Sequence, residues 1–135
     1  VTETVGYSGK PLSAKLGIKP GQTLAVLGAP DHYASLVAPL PDGVRIVDTA
    51  EPGAEIIHLF VRDKADLAAK AAAVAKAVAP GCALWVSWPK KASPLFVDLT
   101  EGGVRDALLP TGLVDVKVAA VDADWSGLKF LWRRK

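Results

Sequence analysis

A chain of 135 residues, half of them apolar, is long enough to bury one core and too apolar to stay disordered. Its net charge of +2 argues against dedicated nucleic-acid binding, and no apolar run reaches the length of a membrane span. One cysteine excludes an intrachain disulfide, and Val1-Thr2-Glu3-Thr4 lacks the basic and apolar regions of a signal peptide, so we expect a single cytoplasmic domain over 1–135.

Residues 1–10, with Gly6, Gly9, Tyr7 and Ser8, read as an N-terminal loop. Pro11 suits the first position of a helix over 11–16, and Gly17 suits its stop. Thr23 to Leu27 is a short apolar run bounded by Gly28 and Pro30, the pattern of a strand buried on both faces. Asp31 is placed to cap a helix in which Tyr33, Leu36 and Val37 share a face, and Pro39 and Pro41 end it. Val44 to Val47 alternates like an edge strand, whereas Ile56 to Val61 is nearly all apolar and belongs at the centre. Asp63 can cap a helix over 64–79, with Leu67, Ala71, Val74, Ala75 and Val78 as its apolar stripe and Lys64, Lys70 and Lys76 off it. Pro80-Gly81 stops that helix, and Cys82 reads as a buried structural thiol opening the central strand Ala83 to Trp88.

Residues 98–109 form a weaker helix, since Gly102 and Gly103 lower its stability while Val104, Ala107 and Leu108 face the core. Val114, Val116 and Val118 alternate with Asp115, Lys117 and Ala119, which predicts a strand with one polar face. Trp125-Ser126-Gly127 reads as a connection, followed by a last strand in which Leu128, Phe130 and Trp132 share a face. The short loop between these two strands makes them antiparallel. The whole is an α/β, three-layer, Rossmann-like fold. Its mostly parallel sheet has six strands in the order 2-1-3-4-6-5, with an antiparallel C-terminal hairpin. Residues 49–54 are about half the dozen a parallel crossover usually needs, so we expect them to cross the first strand without a helix.

A parallel sheet ending in an antiparallel hairpin resembles the class I S-adenosylmethionine-dependent methyltransferases. The lead-in Ile18-Lys19-Pro20-Gly21-Gln22 before Leu24 to Gly28, and the segment Pro80 to Trp85, look like their first strand and the turn and strand after their fourth helix. The resemblance covers about residues 15–133. Three other segments, Tyr7 to Leu12, Trp88 to Lys91 and Trp125 to Phe130, resemble an uncharacterised bacterial family filed as a domain of unknown function, which implies no activity.

Open parallel sheets bind ligands beyond the carboxyl ends of their strands. That rule gathers Gly28, Asp31 and His32 after the first strand, Arg62 and Asp63 after the third, and Lys90 and Lys91 after the fourth. The hairpin loop adds Asp122 to Ser126, and the start of the chain adds Tyr7 and Ser8. The methyltransferase resemblance implies a glycine-rich cofactor loop after the first strand. Only Gly28 is present there, Pro30 removes a donor, and a strand and helix are lacking between the second and third strands. Asp48 ends the second strand, where such folds often hold an acid for ribose hydroxyls, although a turn residue there would look the same.

On these grounds no cofactor is established, and tight binding of S-adenosylmethionine is not expected. His32 beside Asp31 admits an acid–base reading or an exposed first helical turn, and His58 reads as a hydrogen-bonded core histidine. Two scattered histidines and one cysteine give no metal site. Lys90, Lys91 and Lys129 could receive a phosphate or carboxylate or simply be solvated. Trp125 and Trp88 could stack on a ligand or anchor the core. We therefore expect a non-catalytic ligand-binding or interaction module, taking a small anion or a protein partner. Lys90 and Lys129 should share one anion-binding rim with Ser8, Trp125 and Ser126. The alternative is a small methyltransferase-like enzyme using S-adenosylmethionine.

Overall fold

The computed structural model describes residues 11–49 and 53–132. The N-terminal loop with Tyr7 and Ser8, and much of the crossover at 49–54, lie outside the described residues. In chain order the elements are α1 (Leu12–Leu16), β1 (Thr23–Leu27), α2 (Tyr33–Val37), β2 (Arg45–Val47) and β3 (Ile56–Phe60). These are followed by α3 (Lys64–Ala77), β4 (Ala83–Pro89), α4 (Glu101–Leu108), a 3-10 turn (Leu109–Thr111), β5 (Leu113–Ala120) and β6 (Trp125–Trp132). The strands form a six-stranded sheet in the order β2-β1-β3-β4-β6-β5, as the sequence predicts. β2, β1, β3 and β4 run parallel, and β6 is antiparallel to both of its neighbours.

Each face of the sheet carries its own helices. Leu67, Ala71, Val74 and Ala75 of α3 and Val104 and Leu108 of α4 pack on Ala25, Ile57, Leu59, Leu84, Val86, Leu128 and Phe130. Leu12 and Leu16 of α1 and Tyr33 and Val37 of α2 pack on Leu24, Ile56, Phe60 and Trp85 on the other face. Each fully buried Leu or Val contributes roughly 1.5–3 kcal/mol relative to exposure. α3 is the best-built helix. Asp63 accepts the Asp66 N–H at 2.8 Å, as its sequence position predicts, and Asp98 accepts the Lys64 N–H at 2.9 Å, so two first-turn donors are satisfied.

Several local expectations give way to tertiary structure. β1 is buried only at Leu24 and Ala25, because its outer neighbour β2 is three residues long and covers little of it. Asp31 does not cap α2; His32 holds the N-cap position and makes no capping bond there. Thr100 caps α4 instead, which places Gly102 and Gly103 in the first turn and shortens the helix predicted over 98–109. Cys82 is half-buried rather than buried, and burial, with the Glu55 carboxylate second, pushes its thiol pKa up. A bulge between Asp115 and Lys117 breaks the alternation of β5, and Val116 and Val118 are about half exposed on this edge strand. Trp125 to Gly127 is not a connection but the first part of β6, paired with Ser87 to Pro89.

Candidate functional site at the carboxyl edge

The connection from β1 runs through α2 on one face, and the connection from β3 runs through α3 on the other. β1 and β3 are neighbours, so the crossovers part between them, and a crevice opens at the carboxyl ends of these two strands. Gly28 leaves β1 at φ +72°, and a Cβ there would stand 2.8 Å from the Phe60 carbonyl oxygen on β3. Only glycine lets the two strand ends lie this close. Exposed Asp31 and His32 follow it, and exposed Asp48 stands just past the end of β2 on the same edge.

The loop between β5 and β6 closes over this edge from the far side of the sheet. Asp122 Oδ1 accepts the N–H groups of Asp124 and Trp125 at 2.8 and 2.9 Å, which leaves Oδ2 to meet His32 Nε2 at 3.2 Å. A carboxylate only accepts, so in the neutral imidazole the proton sits on Nε2 and the lone pair on Nδ1. The His32 side chain is 54% exposed and that of Asp122 only 16%, so the imidazole is held from below and open above. Asp124 ties in the third segment, since its carbonyl accepts from Lys90 N–H at 2.8 Å and its carboxylate from Ser93 Oγ at 3.0 Å. Ser126 pairs with Trp88 at the same end, and Trp125 is buried with its ring edge-on to Phe60 at 5.1 Å. Trp125 is therefore a core anchor beneath the edge and not a stacking platform.

Beneath this edge, β3 and β4 carry a closed polar network. His58 Nδ1 meets Tyr33 Oη at 3.0 Å and Nε2 meets Ser87 Oγ at 2.7 Å, while the ring stacks on Phe60. Burial lowers the His58 pKa to about 3 and raises that of Tyr33, so both stay neutral. This is the hydrogen-bonded core histidine that its mid-strand position predicts. Beside α3, Leu27, Thr49, Leu59, Ala69, Lys70, Ala73 and Val74 line a mainly apolar cavity of about 470 Å³ that reaches the ends of β1 and β2. Sequence reasoning missed it. The signal was the connection between the second and third strands, too short in the sequence to lay a helix over that part of the sheet.

One predicted member is elsewhere. Lys129 pairs with Trp85, four residues inside β6 from Trp125, whereas Trp125 itself pairs with Pro89. At about 3.3 Å per residue, that carries Lys129 roughly 13 Å from the edge. Its surroundings are Leu16, Gly17, Lys19, Glu55 and Gly81, at the amino ends of the parallel strands. The expected rim of Lys90 and Lys129 therefore does not exist. The error follows from starting β6 at Leu128 instead of Trp125. Lys91 is exposed at the carboxyl edge. Among the described residues no group of three His, Cys, Asp or Glu side chains could hold a metal ion, and no helix is long and apolar enough to cross a membrane.

No family model matches the chain, so the narrower resemblance to an uncharacterised family rests on its three segments alone. No curated protein matches either. Solved structures do. A possible exported protein from Bordetella parapertussis aligns with TM-score 0.64 at 13% identity over 91% of this chain, which spans only 65% of that one. A TehB-like SAM-dependent methyltransferase from Corynebacterium glutamicum aligns with TM-score 0.60 at 9% identity, over 91% of this chain and 86% of that one. A SAM-dependent methyltransferase from Aquifex aeolicus aligns with TM-score 0.59 at 12% identity, over 88% and 86%. These neighbours overturn the expectation of a non-catalytic module and favour its alternative. At such identities the likeness is one of architecture, and that architecture is the Rossmann-like fold of the S-adenosylmethionine-dependent methyltransferases.

Proposed function

We propose that this chain is the cofactor-binding core of a methyltransferase-like protein that takes S-adenosylmethionine at the crevice between β1 and β3. The observation that carries this reading is the carboxyl edge itself: a positive φ that only glycine tolerates at the end of β1, beside an exposed acid at the end of β2, on a methyltransferase fold. The chemistry of the donors fits the group. Asp48, exposed just past β2, suits the two ribose hydroxyls, and Asp31 and Asp122 suit a ligand carrying a sulfonium and an ammonium charge. The cavity beside Leu27, Thr49 and Leu59 offers apolar walls to a purine. When bound, the cofactor supplies an electrophilic methyl group. The chain's own contribution is His32, whose Nδ1 lone pair can accept the proton of a hydroxyl or amine held at the edge while Asp122 steadies the ring.

Calorimetry with S-adenosylmethionine and its demethylated product tests the reading. We expect dissociation constants in the micromolar range, weakened at least ten-fold by Asp48→Ala. Absence of binding at millimolar cofactor would overturn it. With binding in hand, His32→Ala should leave affinity intact and remove methyl transfer to any acceptor a screen identifies.

A further inference from the structure

The opposite end of the sheet holds a second charged pocket that the cofactor reading does not use. Residues of α1, β3, β4 and β6, together with Gly17, Lys19 and Glu55 from the connections, line about 290 Å³ at the amino ends of β1, β3 and β4. Lys129 reaches into it from β6, and a Cβ built on Gly17 would lie 3.9 Å from its ammonium nitrogen. Lys117 lies directly across from Lys129 in the β5–β6 ladder. Like charges directly opposite on adjacent strands repel, so this register is costly without a counter-charge. The carboxyl end of α1 answers Lys117 only, through the Lys15 carbonyl, and its other carbonyls have donors of their own. Ser13 and Ala14 accept from Ile18 and Gly17, Lys15 accepts from Lys117 Nζ, and Leu16 accepts from Trp85 Nε1. Among the described residues, neither the Lys19 nor the Lys129 side chain has a hydrogen bond or an ion pair.

We propose that this pocket binds a small phosphate-type dianion, held by Lys19 and Lys129 with Lys117 adding to the field. Gln22 also lines the pocket: its Oε1 accepts from the Lys19 N–H at 2.9 Å, and its amide nitrogen is a further donor. Glu55 also lines the pocket, with one oxygen committed to the Thr23 N–H at 2.6 Å, so one acid faces two lysines, with Lys117 near Lys129, and the pocket stays net positive. Burial, then Lys117 and Lys19, lower the Lys129 pKa, as expected of a cation lacking its partner. The site stands apart from the carboxyl edge and does not depend on cofactor binding there.

The test is calorimetric titration of the full chain with inorganic phosphate at fixed ionic strength in chloride buffer. We expect saturable one-to-one binding with a sub-millimolar dissociation constant. The double variant Lys19→Ala/Lys129→Met should weaken it at least ten-fold. Lys64→Ala/Lys76→Ala, which removes the same charge from the outer face of α3, should leave it within two-fold. Phosphate should also shift the amide resonances of Gly17, Lys19 and Lys129 in the unmodified protein, a readout that needs no variant to fold. No saturable binding, equal weakening in both double variants, or shifts confined to other segments would each overturn the proposal.

Discussion

The two ends of this sheet are built from the same strands and carry opposite chemistry. At the carboxyl edge, Asp122 and Asp124 are tied to backbone N–H groups, to Ser93 and to His32, so acids are fixed in place by loops from distant parts of the chain. At the amino edge, Lys19 and Lys129 stand in a pocket without such ties among the described residues. The difference lies in how each end is assembled. Loops can adjust to satisfy the groups they carry, whereas Lys129 and Lys117 are set opposite each other by strand register and cannot move apart without breaking the ladder.

The largest effect that sharpens this contrast comes from acid, because it acts on the core between the two ends. His58 has a folded pKa of about 3, below its ordinary 6.5, so the unfolded chain binds more protons between these values. Its contribution is fully present above pH 6.5 and is lost as pH falls toward about 3. Stability should fall by about 1.4 kcal/mol for each pH unit crossed between the two values, several kcal/mol in all. Urea melts at neutral pH and at about pH 4, inside that window, should show it. Equal midpoints would refute the buried neutral network.

Next come the glycine turns, one at each end. Gly28→Ala forces a side chain into positive φ and against the Phe60 carbonyl at 2.8 Å, so it should cost about 2–3 kcal/mol. Gly81→Ala has φ +84° but meets nothing within 4 Å, and about 1 kcal/mol is expected. Thermal melts of the pair check the difference, and equal losses would mean that the close approach of β1 and β3 is not a constraint.

Smaller still is Asp122→Ala, which strips two N–H groups of their acceptor and frees His32, and should cost about 1–2 kcal/mol. Its sharper readout is the His32 imidazole, whose ring nitrogen shifts should lose the preference for a proton on Nε2 once the carboxylate is gone. The smallest effect has the opposite sign. Lys129→Met removes a like-charge cross-strand pair and should stabilise the protein by a few tenths of a kcal/mol in phosphate-free buffer. A destabilised variant would show that Lys129 already has its counter-charge.

Local pattern by itself determined the strand order, the parallel run of β1 to β4, the apolar stripe and Asp63 cap of α3, and the core role of His58. Periodicity, turn residues and short connections are encoded within a few residues of where they act, and chain connectivity prunes the topologies that remain. The site was legible only as a set of segments meeting at one edge. That Asp122 and not Asp31 would partner His32 depends on a contact across 90 residues. That Trp125 would lie under the edge and Lys129 at the far end depends on where β6 begins to pair with β4. Neither is written in local sequence. Register is decided by what the neighbouring strand offers, Pro89 against Trp125 and Trp85 against Lys129. A shift of a few residues there carries a charge from one end of the sheet to the other.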